Sequence, residues 1–521
     1  MSSGEEALQP RVSLAGLRQW MYPWAVCLVT GLDYFDNSLF SFFSSYIAGG
    51  INASTDELVW SSSSYAVAAV LGILQQQWWI DRIGYRRYLT GCMLFYGAAA
   101  LLSAAASSPM ELMFTRGIQG YFIGPMMGAC RIMLQGHFPP RQIGPARRLF
   151  IKSIVMATAL APLLGGMLIG HFQWRALFLC TAPVALLLAG LCAASVPDVG
   201  RLPSEALHPI NSHVWPYLVF AAGQGALQIV LQQLHYQLFI SSPLLIGLTL
   251  CGIASLIVFG YHQWHHPQPL MRLGSLREKA FLVGLALYAI YYYLSTSFSF
   301  LTLRFVEGAM KYPIMNAGVL IGITSLVSMV TLTLYLKYSA RLTHKKLLIV
   351  SGFALAAATA WIMMRMPANA SQSMLAAPLL MRGIQVLFIA IPVANLTFRG
   401  LEMDDFTHSY RLKNIVRQLV VSFSTSSIIV LERHRQILHH ARLSESVNLA
   451  NPATMQWLEG LRHHFENLGY AAIQAREMAM AGIERLVTDQ ADLLALQDGF
   501  CFLVVVSLAS AVFAFWQNRI R

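Results

Sequence analysis

Arg116-Gly117-Ile118-Gln119-Gly120-Tyr121-Phe122-Ile123 and Arg382-Gly383-Ile384-Gln385-Val386-Leu387-Phe388-Ile389 agree at six of eight positions. Each stretch opens with an arginine inside a long apolar run. An ionised side chain near the centre of a bilayer costs at least about 2.5–3.5 kcal/mol on insertion scales. The same expensive residue, in the same setting, in both halves of a chain points to a duplicated bundle. A weaker echo joins Arg82-Ile83-Gly84-Tyr85-Arg86-Arg87 to Arg341-Leu342-Thr343-His344-Lys345-Lys346, at an offset of 259 against 266 for the first.

Outward from these stretches, the chain of 521 residues is 56% apolar and only 12% charged. A soluble domain carries about 25% charge. Apolar runs of about twenty residues recur, each long enough to cross a ~30 Å hydrocarbon layer as a helix. They are continuous, which argues against a barrel of alternating strands. Spans are expected near 22–46, 58–80, 88–106, 111–136, 153–171, 175–196, 215–235, 243–263, 280–303, 312–336, 346–366, 373–398, 408–431 and 498–517. The run after Pro23 contains Asp33 and Asp36 and lacks a small-residue cleavage site, so it is read as the first span and not as a signal peptide.

The fold class expected is an all-α polytopic membrane protein. Two six-helix bundles, 1–198 and 271–521, are related by the repeat, and 199–270 supplies linkers and an inserted transmembrane hairpin. The second bundle carries a long segment, 433–497, outside the bilayer on the periplasmic side. From Pro452 that segment has helical spacing, with Trp457, Leu461, Phe465 and Leu468 as an apolar stripe.

Lys and Arg set the orientation. Twenty-two of them, Arg82, Arg86, Arg87, Arg147, Arg148, Arg411 and Lys413 included, fall on the termini and the loops of one side. Only Arg175, Arg304, Lys311 and Arg365 fall on the opposite short loops. Both termini are therefore expected in the cytoplasm of a bacterial inner-membrane protein. The same dispersal accounts for a net charge of +12 without nucleic acid. The seven cysteines all lie in apolar spans and read as small buried hydrophobes. Histidines have no metal-ligand spacing, and no phosphate-cradling or nucleophile-elbow motif occurs. Neither a metal, a cofactor nor an enzymatic activity is expected, so an ion gradient must supply the energy of any transport.

Asp33 and Asp36 are the only carboxylates well inside a span, and a spacing of three puts them on one face of a helix. Two carboxylates close together in a dry site repel, and burial disfavours their charge. The pair is expected to exchange protons, with a structural role beside an arginine as the alternative. Arg116 and Gln119 share a helix face in the same way, and Arg382 and Gln385 repeat them. A guanidinium keeps its proton, so Arg116 must find an acid, a carbonyl or water. It either holds a carboxylate ionised until a proton displaces it or serves as a static tie. The remaining intramembrane cations are Arg131 and Arg417. Spans one and nine are rich in rings and hydroxyls. Tyr34, Ser38, Phe42, Tyr288, Tyr292 and Ser295, with Gln119, Arg382 and Gln385, are the expected lining of a cavity for a bulky, partly apolar ligand. Small residues at Gly120, Gly124 and Gly128, and at Ala157, Ala161 and Gly165, permit close helix packing. Pro162, with Gly165-Gly166 after it, adds a hinge.

These residues resemble the major facilitator superfamily, in its fourteen-span drug:proton antiporter branch of the EmrB type. The likeness covers nearly the whole chain. Asp81, Arg82, Gly84 and Arg86 are similar to the basic loop between spans two and three. Arg116, Gln119 and Gly120 resemble the span-four proton-transfer motif, and Ala161-Pro162-Leu163-Leu164-Gly165-Gly166 the span-five antiporter motif. Leu32-Asp33, Gly225-Ala226-Leu227-Gln228 and Arg417-Gln418 also fit the branch. Gln77 and Ala161 stand where the family has glycine, and Asp36 and Asn37 where its first span is apolar. The resemblance implies proton-coupled efflux of amphipathic small molecules, with a periplasmic membrane-fusion adaptor and an outer-membrane channel as partners. Relatives of this build also include dedicated exporters of siderophores or fatty acids. A proton symporter for uptake is the less favoured alternative.

Overall fold

The computed structural model describes residues 17–137, 140–197, 214–234, 242–267, 269–338, 344–398, 403–448 and 450–517. Pro203 and Pro209 of the first linker, and Arg341, Leu342 and Thr343 of the weaker echo, lie outside them. So do Arg11, Arg201, Arg399, Arg519 and Arg521. All regular structure among the described residues is helical.

The order is α1 (Leu17–Phe42), α2 (Ser44–Gly50), α3 (Thr55–Ala105), α4 (Pro109–Ile123), α5 (Met126–His137), α6 (Pro140–His171) and α7 (Ala176–Ser195). There follow α8 (Val214–Gln233), α9 (Pro243–His265), α10 (Lys279–Arg304), α11 (Ile314–Tyr338), α12 (Lys345–Met364) and α13 (Gln372–Thr397). The last are α14 (Met403–Ser446), α15 (Pro452–Asn467) and α16 (Ala472–Trp516). Every expected span falls on helix, the first and the fourth being divided between two helices each.

Three details differ from the sequence reading. Spans two and three are both in α3, and a single residue, Gly84 at φ 77° and ψ 162°, breaks the helix between them. That backbone favours glycine, so the expected basic loop collapses to helical turns around one hinge. Span four is divided into α4 and α5 at Gly124-Pro125, because proline has no amide hydrogen and crowds the preceding turn. Finally, α14 and α16 run far past their spans. Their 44 and 45 residues, at 1.5 Å each, make rods of roughly 65 Å, about twice the hydrocarbon thickness.

Two cores organise the packing. The first gathers Val26, Val29, Tyr85, Met93, Met127 and Ala185 from α1, α3, α5 and α7. The second gathers Leu287, Phe298, Phe353, Leu379, Phe500 and Leu503 from α10, α12, α13 and α16. In the first, α4 lies directly on α3: a Cβ on Gly120 would come within 2.3 Å of the Tyr65 carbonyl. The small-residue row is therefore a backbone contact. Between the cores, α6 packs along α11, and α14 packs along α3, where Ile415 joins Val70, Ile73 and Leu74.

Beyond the bilayer, α14, α15 and α16 form a helical projection. Asp498 receives Arg435 at 3.3 Å and His439 at 2.7 Å, and His440 meets Glu484 at 3.0 Å. The stripe expected on α15 is rotated from its predicted position. Leu458 is the buried residue, with Leu461 and Phe465 partly covered, whereas Trp457 and Leu468 are 61% and 62% exposed. Positions 454, 458, 461 and 465 satisfy the helical period better than a face built on Trp457.

Candidate functional site

The two halves meet around a cavity of about 390 Å³. We call the face on which α1 begins and α16 ends the near face, and the opposite one the far face. Nearly all the lining comes from the middle and far parts of the helices: Ser38 and Phe42 of α1, Ser62 of α3, Pro162 of α6, Ser295 and Phe300 of α10, Ser325 of α11, Arg382 of α13 and Thr425 of α14. Toward the near face it gives way to packed rings: Phe398, Phe406 and Tyr410, with Tyr288 stacked on Tyr292.

Behind the wall stands a buried polar network. Asp36, 2% exposed, accepts from Arg116 Nη1 at 2.8 Å. The same nitrogen donates to Gln119 Oε1 at 2.6 Å, and Gln119 Nε2 donates to Ser103 Oγ at 3.1 Å. The Arg116 guanidinium lies between the rings of Phe40 and Tyr65, at 4.1 and 4.4 Å. All of these groups come from α1, α3 and α4.

Asp33 is fully buried and differently connected. Its Oδ2 receives Arg417 Nη2 at 3.3 Å, across from α14 of the second half. Its Oδ1 accepts from Asn37 at 3.1 Å and from the Tyr65 hydroxyl at 3.4 Å. Arg417 also packs on the Tyr34 ring at 4.9 Å. The two aspartates are thus on one helix face as expected, yet one is tied within its own half and the other across the interface.

Of the expected lining residues, Tyr34, Ser38, Phe42, Tyr292, Ser295 and Arg382 border the cavity. Gln119, Tyr288 and Gln385 do not. Gln119 is turned back toward Ser103, Gln385 accepts from Thr359 at 3.3 Å inside the second half, and Tyr288 is buried. Residues three apart on a helix differ by some 60° in direction, enough for Arg382 to face the cavity while Gln385 faces a neighbouring helix. Arg382 donates to Ser299 across the cavity wall.

The motif residues lie at the near hinge and in the contact between halves. Asp81 accepts from Gln77 at 3.0 Å, Arg82 lies 3.6 Å over the Trp78 ring, and Arg86 is half-buried two residues beyond Gly84. Pro162 borders the cavity, Gly165 lies beneath Phe43 and Leu39, and Gly166 faces Met315 and Gly318 of α11.

Sequence alone leaves four groups out of the expected site, two of which, Arg417 and Gln418, it marks only as an intramembrane cation and part of a branch motif. Arg417 and Gln418 border the cavity, and Tyr65 joins both aspartates' surroundings. Lys413, which was counted with Arg411 among the cytoplasmic loop cations, is 2% exposed inside α14, as is Arg411. The signal was present: Tyr410, Lys413, Arg417 and Val421 are spaced by three and four, the period of one helix face.

A central cavity flanked by two bundles and a buried ion-pair network is the layout of a secondary transporter. The sequence model of the Major Facilitator Superfamily matches residues 26–420, and the chain belongs to that family. It is a multi-pass membrane protein and a secondary transporter. It is 24% identical to the "Probable multidrug resistance protein EmrY" of Escherichia coli K12, over 84% of this chain and 85% of that one. It is 22% identical to the "Multidrug export protein EmrB" of the same organism, over 96% of each chain. The fold also superposes on a bacterial homolog of the human lysosomal transporter Spinster, crystallised inward-facing and occupied. That match has a TM-score of 0.62 at 12% identity, covering 98% of both chains.

Proposed function

We propose that this chain exports amphipathic small molecules across the bacterial inner membrane in exchange for protons, with both termini in the cytoplasm. The observation that carries the reading is the Asp33–Arg417 pair, 3.3 Å long, fully buried on the Asp33 side and joining the two halves beside the cavity. A proton on Asp33 removes the charge that holds Arg417, so proton binding weakens a contact between halves. Export follows if the released state favours closure toward the far face. One proton crossing ~150 mV supplies about 3.5 kcal/mol, which sustains roughly a 300-fold gradient of a neutral substrate.

The division into bundles 1–198 and 271–521, with a hairpin from 199–270, belongs to the same proposal. It is supported by two cores drawn mainly from one half each, with Phe406 and Tyr410 of α14 reaching into the first, and by α8, whose Gln228 amide donates both to Ser63 of α3, at 2.9 Å, and to Ser422 of α14. In this reading Gln119 orients Arg116 against Asp36, and Asp81, Arg82, Gly84, Arg86, Pro162, Gly165 and Gly166 serve the conformational change. The α14–α16 projection, with Trp457, Leu468 and Ile473 well exposed, suits a membrane-fusion adaptor that leads to an outer-membrane channel. A relative named for multidrug export supports the efflux direction.

The test is transport in inverted vesicles energised by an imposed pH gradient. Substrate accumulation that collapses with an uncoupler, and is absent in Asp33→Asn, is the expected result. Accumulation that is indifferent to the gradient would refute proton exchange.

A further inference from the structure

The transport path carries more positive charge than its own acids can pair. Arg116, Arg382 and Arg417 border the cavity, and no Asp or Glu does. Both deep carboxylates already have an arginine, Asp36 with Arg116 and Asp33 with Arg417. Arg382 Nη1 is buried without a hydrogen-bond partner. On the near side of the Asp33–Arg417 pair the surplus continues. Lys413 is 2% exposed, and its hydrogen bond is a long donation, 3.4 Å, to the side chain of its neighbour Asn414. The ammonium is ringed by Tyr410, Tyr288 and Tyr292 at 4.9, 5.0 and 5.6 Å. Arg131 lies 5.8 Å over the ring of Phe406, which stacks on Tyr410, and its Nη1 is also buried without a partner. Among the described residues, neither Lys413 nor Arg131 has a carboxylate within ion-pair distance.

Three rings stabilise an ammonium through their π faces, but the desolvation of a buried ammonium is not offset by rings alone. The missing element is an anion. We infer that Lys413, with Arg131 beyond the Phe406–Tyr410 rings, is an anion subsite on the near side of the Asp33–Arg417 barrier. There it takes the carboxylate head of an amphiphilic substrate before that head passes to Arg382 in the cavity. The inference rests on the transport reading and adds the substrate's charge. It also assigns each side of the barrier its own cation: Lys413 receives and Arg382 releases.

Equilibrium binding separates this proposal from the proton-exchange reading, since it needs neither gradient nor flux. Decanoate, 1-decanol and decyltrimethylammonium share one tail and differ in head charge. With the full chain in lipid nanodiscs, decanoate is expected to bind at least tenfold tighter than decyltrimethylammonium. Lys413→Gln should weaken decanoate about tenfold, or ~1.4 kcal/mol, while 1-decanol affinity and melting temperature hold. Lys413→Arg, which keeps the charge, should stay within about threefold of the parent. The proposal is overturned if decanoate affinity is unchanged in Lys413→Gln, or if all three ligands weaken together with a fall in melting temperature, the mark of a structural tie. It also falls if Arg382→Gln alone abolishes the preference for decanoate.

Discussion

At the scale of single residues, two aspartates one helical turn apart have separate partners, and that difference makes their roles separable. Asp33 binds across the interface and Asp36 within its own half. Asp33→Asn is therefore expected to abolish gradient-driven export while the protein remains folded in the membrane. Asp36→Asn leaves a buried Arg116 without its anion, a defect of the kind that costs about 3–5 kcal/mol in buried pairs. The melting temperature should fall measurably in both variants, because Asp33→Asn leaves the buried Arg417 without its anion just as Asp36→Asn does Arg116; the gradient dependence of export is what separates them. A double-mutant cycle of Asp33→Asn with Arg417→Gln checks the pairing. Transport losses that do not add would show that the two act as a unit, and simple additivity would dissolve it. Asp33, Asp36, Arg116 and Gln119 were legible in the sequence because charge inside an apolar run stands out. Their pairing was not, because it depends on which helix of the other half lies opposite. Lys413 was hidden for a plainer reason: near the start of a span, a lysine looks like one more loop cation until the 3–4 spacing of Tyr410, Lys413 and Arg417 is read as a face.

Among the elements, the projection of α14, α15 and α16 offers the sharpest test. The sequence showed a helical segment with an apolar stripe, but the stripe alone did not fix the rotation of α15, since Trp457 and Leu458 are adjacent and compete for the same face. Leu458 turns inward, so Trp457 and Leu468 are left outward. The struts between α14 and α16, through Asp498 and Glu484, do not involve α15, which packs on α16. Replacing 450–471 with a short Gly/Ser linker should thus preserve vesicle transport within about twofold. Resistance of whole cells, and recovery of an adaptor with the protein, should be lost. Collapse of vesicle transport would make α15 part of the carrier's own fold, and intact cellular resistance would remove it from any docking surface. The milder change Trp457→Ala should reproduce the cellular defect in part without altering melting.

For the molecule as a whole, the repeated Arg-Gly-Ile-Gln stretch predicted two bundles, and the two cores are consistent with bodies that move as units. The cavity reaches toward the far face while Phe398, Phe406 and Tyr410 close the near side. Transport requires the reverse arrangement as well, and interfaces between rigid bodies exchange between discrete packings. Besides the packing of α6 on α11 and of α14 on α3, the present one is held by Asp33–Arg417, the Gln228 clip between Ser63 and Ser422, and the approach of Gly166 to Gly318. The two polar contacts can break without loss of apolar burial, so under the proposed exchange they are expected to set the equilibrium. Spin labels at Leu102 and Phe172, both exposed in the first half, report on that half's rigidity. Labels at Phe172 and Met374, the latter exposed in the second half, report across the interface. Asn at position 33 mimics the protonated acid, so Asp33→Asn should shift the Phe172–Met374 distance distribution by several ångströms while the Leu102–Phe172 distribution stays fixed. Gln228→Leu, which removes the other breakable contact, should shift it in the same direction, and the two substitutions together further still. A Leu102–Phe172 distribution that moves as much as the other would mean that the first half deforms internally. A Phe172–Met374 distribution indifferent to both substitutions would mean that neither contact governs which face is open.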